Sequence, residues 1–268
     1  MTYYINYAYT CHTGKVRPNN EDNFWCCGER LPVHNQGTEG IRTGIRLRES
    51  LPVLAVFDGM GGESQGEMAA GLASLELENF YRINRSMLRK TPELFLSEAC
   101  RNMNQVICDY ELEQRINAMG TTMAMIAFGK KEVNICNLGD SRIYRLSGKD
   151  FSQISQDHVL KGYRLGKAPL TQFLGVDEEE MKLEAFIESF DYQDGDRYLL
   201  CSDGVTDMLP DREIEEIMKM KSSVSDLAQE LLQKVLDRGA RDNVTIIIGE
   251  VKRDNHPLRT WVLQNRKI

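Results

Sequence analysis

The chain has 268 residues, 41% of them hydrophobic and 27% charged, an ordinary globular balance that excludes intrinsic disorder and suffices for one large domain or two small ones at about 150 residues each. Lys and Arg number 33 against 40 Asp and Glu, a net charge of -7; phosphate contacts supply most nucleic-acid affinity, so no nucleic-acid partner is expected. No apolar run approaches the roughly 20 residues of a membrane-spanning helix, and the opening MTYYINYAYTCHTGK lacks a basic stretch before an apolar core, so neither a membrane nor a secretory leader is expected and the location is read as cytoplasmic.

Tyr3 to Thr10 and Asp22 to Cys27 read as the first strands. Residues 28–50 form a polar, Gly-rich connection in which RTGIRLR is expected to pair as part of a hairpin. Val53 to Phe57 reads as a buried strand. A helix follows from Ser64 to about Asn84, with Met68, Leu72, Leu75 and Ile83 on one side. A second opens at Pro92, where Leu96, Cys100, Met103, Ile107 and Tyr110 recur at spacings of three and four. Thr121 to Phe128, Glu132 to Asn137 and Ser141 to Leu146 are separated by GKK and LGD, which reads as a meander. Lys182 to Phe190 alternates cleanly, and Asp196 to Cys201 is a further strand. Helices over Asp211 to Met220 and Ser225 to Arg238 and a strand over Val244 to Val251 complete the chain.

Runs of strands joined by short turns favour antiparallel sheets over alternating βαβ units. The expected fold is α+β: two antiparallel sheets face to face with a helix pair outside each, four layers in all. No Pro-, Gly- or Ser-rich linker interrupts it, so one domain is expected over residues 1–251, followed by a basic tail over 252–268. The seven cysteines are odd in number and contain no C-x-x-C, which indicates neither a disulfide framework nor a thiolate zinc site.

Four apolar strands carry an Asp at one edge: VLAVF-Asp58-GMGG, CNLG-Asp140-SR, LLCS-Asp203-GVT-Asp207 and R-Asp242-N-VTIII. A fifth acidic pair, Glu21-Asp22, precedes a strand. An ionised carboxylate at a core boundary is costly unless it is paired or bound to a cation. One such Asp is an ordinary turn residue; five such sites, several followed by Gly, are harder to explain that way. Glycine after Asp lets the backbone approach a ligand closely. All-oxygen ligation suits Mg²⁺, Mn²⁺ or Ca²⁺. There is no EF-hand loop, and His12, His34, His158 and His256 are scattered, so zinc is not expected. Carboxylates gathered from distant strands suit a two-metal site that activates water on phosphate esters.

In this order the chain carries Arg17-x-x-x-Glu21-Asp22, Asp58-Gly59-Met60-Gly61-Gly62, Gly120-Thr121-Thr122, Gly139-Asp140-Ser141-Arg142, Asp157-His158, Ser202-Asp203-Gly204 and Asp242-Asn243-x-Thr245. The set resembles the metal-dependent protein phosphatases of the 2C type, bacterial members above all, and spans residues 17 to 245. The resemblance implies the same αββα sandwich and a dinuclear Mn²⁺ or Mg²⁺ centre in a cleft at one end. By position it makes Asp58 the ligand bridging both metals, with the Gly59 carbonyl on one of them. Asp203 and Asp242 complete the first site, Glu21 holds the second, and Asp22 supports it. Arg17 becomes the substrate phosphate clamp, where a guanidinium gives planar two-point recognition. Asp140 and Asp207 match a third, weaker metal position. The implied chemistry is hydrolysis of phosphoserine and phosphothreonine in proteins by a metal-bridged water, opposite a cognate Ser/Thr kinase, in a monomer. A catalytically inactive scaffold and a phosphatase of sigma-factor regulators remain as alternatives.

Two departures stand out. Many relatives have His where Met60 stands, or just after the second Gly, where this chain has Glu63. The span between His158 and Thr171 is only VLKGYRLGKAPL, so the flap that relatives place there is expected to be largely missing.

Overall fold

Short apolar or alternating runs form the strands and runs with period three to four form the helices. In the computed structural model, which describes residues 2–61, 65–116, 118–177, 179 and 181–254, the order is β1 (Tyr3–His12), β2 (Asp22–Cys26), β3 (Arg42–Leu47), β4 (Val53–Met60), α1 (Gln65–Ile83), α2 (Arg85–Lys90), α3 (Pro92–Gln114), β5 (Gly120–Thr121), β6 (Met123–Phe128), β7 (Glu132–Leu138), β8 (Arg142–Ser147), β9 (Asp150–Gln153), β10 (Phe186–Asp191), β11 (Arg197–Cys201), α4 (Asp203–Thr206), α5 (Asp211–Met218), α6 (Val224–Asp237) and β12 (Val244–Arg253). One sheet runs β3-β1-β12-β11-β8-β9. The other runs β10-β7-β6-β4-β2, with β5 added to β4. Among the paired strands every ladder is antiparallel.

The period of two decides which residues meet. On β1, Ile5, Tyr7, Tyr9 and Cys11 face the second sheet, where Leu54 and Val56 of β4 and Ile126 and Phe128 of β6 meet them. The other face of β4 presents Val53, Ala55 and Phe57 to Ala69, Ala73 and Leu77 of α1 and Phe95, Leu96 and Met103 of α3. The other face of the first sheet presents Leu199, Ile246 and Ile248 to Ile214 of α5 and Leu227, Leu231 and Val235 of α6. Three apolar layers thus separate four layers of backbone, the αββα sandwich that the element order predicts. Each large side chain buried this way contributes about 1.5–3 kcal/mol.

Local chemistry sets the helix ends. Pro92 opens α3, where a missing N–H costs nothing. Ser223 and Asp226 form a reciprocal capping box at the start of α6: the Asp226 N–H donates to Ser223 Oγ at 3.2 Å and the Ser223 N–H to Asp226 Oδ2 at 3.3 Å.

The structure corrects four expectations. The three strands after Gly120 are not one meander: β6 and β7 pair, but β8 joins β11 in the other sheet. Gly139, at φ +89, turns the chain across the sandwich between them. The RTGIRLR strand forms no hairpin with a sequence neighbour; β3 pairs with β1 at the edge of the first sheet. The alternating run from Lys182 becomes a strand only at Phe186. Its partner β7 ends at Leu138, and before Phe186 the Glu184 N–H and the Lys182 carbonyl bond instead to the Gln172 side chain. The short elements α2, α4 and β9 were not anticipated, being too brief to show a period. The last strand reaches Arg253, opposite Tyr3, two residues beyond the expected boundary at 251. The rest of the expected tail, from residue 255, lies outside the described residues.

Candidate metal centre

The carboxylates gather where the two sheets meet at one end. Asp22 and Asp58 are directly opposite in the β2–β4 ladder. The Asp58 peptide is held on both sides: its N–H donates to Thr122 Oγ1 at 3.2 Å, and its carbonyl accepts from the Thr122 N–H at 2.9 Å and Thr121 Oγ1 at 3.0 Å. Ser141 Oγ lies 2.6 Å from Thr122 Oγ1 and extends the clamp towards the Asp140 turn. Thr121 and Thr122 therefore support the site through Asp58's backbone.

Asp22 links the two sheets. Its Oδ2 accepts from Ser202 Oγ at 2.8 Å, just after β11, and from Thr245 Oγ1 at 2.6 Å, on β12. Burial raises its pKa well above the usual carboxylate range, and the Asp58 charge adds to this, while the two hydroxyls oppose it. Burial likewise raises Asp58, with the Asp140 carboxylate next in size; Lys167 opposes it, and Asp242 and Glu21 add to it. Asp203 opens α4 directly after Ser202, beside the same corner.

Asn243 organises the loop that carries Arg17 and Glu21. It is 4% exposed. Its Oδ1 accepts from the Glu21 N–H at 2.8 Å, and its Nδ2 donates to the carbonyls of Thr13 and Asn19 at 2.8 and 2.9 Å. Asn243→Ala removes the partner of three part-buried backbone groups. We expect it to cost roughly 2 to 4 kcal/mol in urea unfolding; a loss below about 0.5 kcal/mol would contradict this role.

Gly59 is needed for space. Its φ is not in the left-handed region, but a Cβ there would stand 2.1 Å from the Gly66 carbonyl oxygen and 2.5 Å from that of Glu21. The first turn of α1 and the Glu21 backbone press on Gly59, whose N–H donates to the Glu21 carbonyl at 3.2 Å. The close packing by itself excludes any side chain at this position. Gly59→Ala should therefore cost roughly 3 kcal/mol, the upper end of ordinary overpacking, read as a lowered melting temperature with and without metal.

Two cationic side chains neutralise the outer carboxylates. Arg17 Nη2 lies 2.8 Å from Asp242 Oδ2, with the guanidinium half exposed. Lys167 Nζ contacts Asp203 Oδ2 and lies 3.6 Å from Asp140 Oδ2 and 3.9 Å from Asp207 Oδ2. Among the described residues no three carboxylate, His or Cys side chains stand in ligating geometry around one point. The carboxylates face Arg17, Lys167, Ser202 and Thr245. The donor set nevertheless fits hard cations, because it is all oxygen and an ammonium already sits among three of its members.

All the residues proposed from the sequence fall at this end of the sandwich: Arg17 and Asp242 as an ion pair, Asp22 and Asp58 as ladder partners, and Asp140, Asp203 and Asp207 around Lys167. Glu21 and Gly59 join them through their shared backbone bond. Asp157 and His158 do not pair with each other. Asp157 instead takes the Arg142 guanidinium at 2.7 to 3.1 Å and Gln153 Nε2 at 2.7 Å. Met60 ends β4 opposite Gly120, and Glu63 lies outside the described residues. The sequence reading missed Lys167 and the role of Asn243. Asn243 carried one signal, its place beside Asp242 in a recurring motif; Lys167 carried none. A cleft of about 1380 Å³ begins at Met60 and Gly61 and runs past Met119, Gly120, Phe173 and Val176.

Comparison with known proteins shows the family. The serine/threonine phosphatase stp of Listeria monocytogenes is 32% identical over 237 residues, covering 82% of this chain and 92% of its own. The serine/threonine protein phosphatase PstP of Mycobacterium tuberculosis is 29% identical over 264 residues, 94% of this chain and 46% of that longer protein. The crystal structure of the PstP catalytic domain in complex with two manganese ions superposes with a TM-score of 0.75 at 28% identity, covering 94% of this chain and all of that one. Residues 42–243 match the protein phosphatase 2C family, and the chain belongs to that family.

Proposed function

We propose that this chain hydrolyses phosphoserine and phosphothreonine in proteins at a Mn²⁺ or Mg²⁺ centre built from Asp58, Gly59, Asp203, Asp242, Glu21 and Asp22. One observation carries the reading: Asp22 and Asp58 are ladder partners in one sheet, Asp22 accepts from Ser202 and Thr245 of the other side, next to where Asp203 follows β11 and Asp242 precedes β12, and a guanidinium is held on Asp242. When bound, two such cations supply an activated water for in-line attack on phosphorus.

The chain's own residues do the rest. Thr121 and Thr122 fix the Asp58 backbone, and Ser202 and Thr245 fix Asp22, so the carboxylates hold position without rearranging. Arg17, half exposed on Asp242, binds and orients the substrate phosphate. Asp140 and Asp207, beside Asp203, form a third and weaker cation position. The polypeptide flanking the phosphoresidue lies in the cleft that begins at Met60, whose mixed lining includes Arg101, Glu111 and Arg115.

Phosphoproteins are the substrates, and a cognate Ser/Thr kinase is the opposing activity. We place one catalytic domain over residues 1–251, carried on by the end of β12 to Arg253, acting as a monomer in the cytoplasm. Among the described residues no helix is long and apolar enough to cross a membrane. The test is hydrolysis of an aryl phosphate and of a phosphothreonine peptide with Mn²⁺, with and without excess chelator. Turnover should vanish with the chelator, and full activity in its presence would sink the metal mechanism.

A further inference from the structure

The segment between His158 and Thr171 is short, yet it is built as a closed loop. Val159 and Leu170 form a bridge, the Leu160 N–H donates to the Pro169 carbonyl at 2.9 Å, and the Thr171 N–H donates to the His158 carbonyl at 2.8 Å. The His158 N–H in turn donates to the Gly139 carbonyl at 2.9 Å, tying the base of the loop to the turn that carries Asp140. Gly162 and Gly166 have φ of +80 and +98 with open space at their Cβ positions, so their role is to turn the backbone. Gly166 directly precedes Lys167. The loop thereby delivers one ammonium to the corner formed by Asp140, Asp203 and Asp207, against Asp203 and within 3.6 and 3.9 Å of the other two.

We propose that Lys167 and a divalent cation compete for this one corner, so that the weak outer ion binds only when the Lys167 loop lets go. The inference rests on the metal-ligand reading above and adds to it the residue that sets the affinity of the outer position. Three carboxylates exceed the charge of one ammonium, so the corner still attracts a divalent ion. A lysine is a compact point charge on a flexible stem, and Lys167 is 54% exposed, so it can swing into solvent without breaking the fold. Asp22, on the inner side, has no contact with Lys167 and is held instead by hydroxyls. Asp203 is shared with the dinuclear pair, so competition should be strongest at the outer position and weaker at the inner pair.

The test is a Mn²⁺ binding isotherm on the full chain, read by electron paramagnetic resonance of free Mn²⁺, for wild type, Lys167→Gln and Lys167→Arg. We expect Lys167→Gln to tighten a third, weak binding step at least about tenfold and the two tighter steps, which share Asp203, by a smaller factor. Lys167→Arg keeps the charge and should follow the wild type. Tryptic cleavage after Arg164 gives a second readout: filling the third step should speed it in the wild type, whereas Lys167→Gln should be cut quickly at every Mn²⁺ concentration. An unchanged third step in Lys167→Gln, a change confined to the tight pair, or no third step in any variant would each overturn the competition. Wild type that binds no Mn²⁺ at any step would instead overturn the metal reading of the whole cleft.

Discussion

Asp58→Asn is expected to lower kcat by at least about a thousandfold, at or beyond the cost of removing one preorganised stabilising group, and to leave the fold intact. The hydrogen bonds from Asp58 to Thr121 and Thr122 use its backbone, which the substitution keeps. Stability should respond with an informative sign. The folded protein holds the Asp58 carboxyl above its usual range because burial and the Asp140 charge oppose ionisation. A carboxyl raised on folding makes the unfolded chain the better acid, so its ionisation subtracts stability once the pH climbs above the ordinary carboxylate range. At pH 7 and in chelator, Asp58→Asn removes that cost, and its melting temperature should equal or exceed the wild type's. In Mn²⁺ the order should reverse. At a hundred times Kd a bound ion adds about 2.7 kcal/mol, roughly 5 to 10 °C for a chain of this size, and the Asn variant should lose most of that gain. Calorimetry in the two buffers reads both signs. A variant less stable than wild type in chelator would show that Asp58 is a structural carboxylate, and wild-type turnover would remove it from the centre.

Arg17→Ala should raise KM for phosphopeptides by about tenfold or more, in keeping with the loss of a charge-assisted contact of roughly 1.5–3 kcal/mol, with a smaller change in kcat. Lysine at this position should recover only part of the loss, because an ammonium cannot make the planar two-point contact. The structure adds a condition that the sequence did not contain. Arg17 is paired with Asp242, which the proposal makes a metal ligand. Removing Arg17 frees that carboxylate, so Mn²⁺ affinity should hold or tighten. The half-exposed pair contributes at most about 1 kcal/mol to stability, so the melting temperature should barely move. Weaker Mn²⁺ binding with unchanged KM would reverse the assignment and make Arg17 a support of the metal centre.

Much of this architecture is legible in the chain because its causes are local. A strand shows itself by period two, and β1, β4 and β12 each sort their apolar residues onto two faces that the sequence already displays. Helix α3 announces itself by spacing and by Pro92, and α6 reads from the sequence to within a residue of each end. The strand-end aspartates stand out because a carboxylate beside an apolar run needs a reason. From these, together with the ordered motifs, the four layers and the site residues could be named without coordinates.

Other features depend on which distant segments touch, and no local pattern encodes that. The turn at Gly139 joins two strands that read as neighbours, yet it sends β8 to the opposite sheet because β11 offers its free edge there. Gly59 follows Asp58 in a strand-end motif, and only the fold presses Gly66 and the Glu21 carbonyl against its Cα. Asn243 reaches back to residues 13, 19 and 21, and Arg17 meets a partner 225 positions away. Lys167 sits in a polar stretch that reads as a shortened loop, and only the backbone closure from His158 to Thr171 carries its ammonium to the carboxylates. The sequence by itself determined the layers and the chemistry of the donors, since periodicity and residue type act over a few residues. The tertiary structure alone decided which cations those donors face, since electrostatic pairing depends on distance in space.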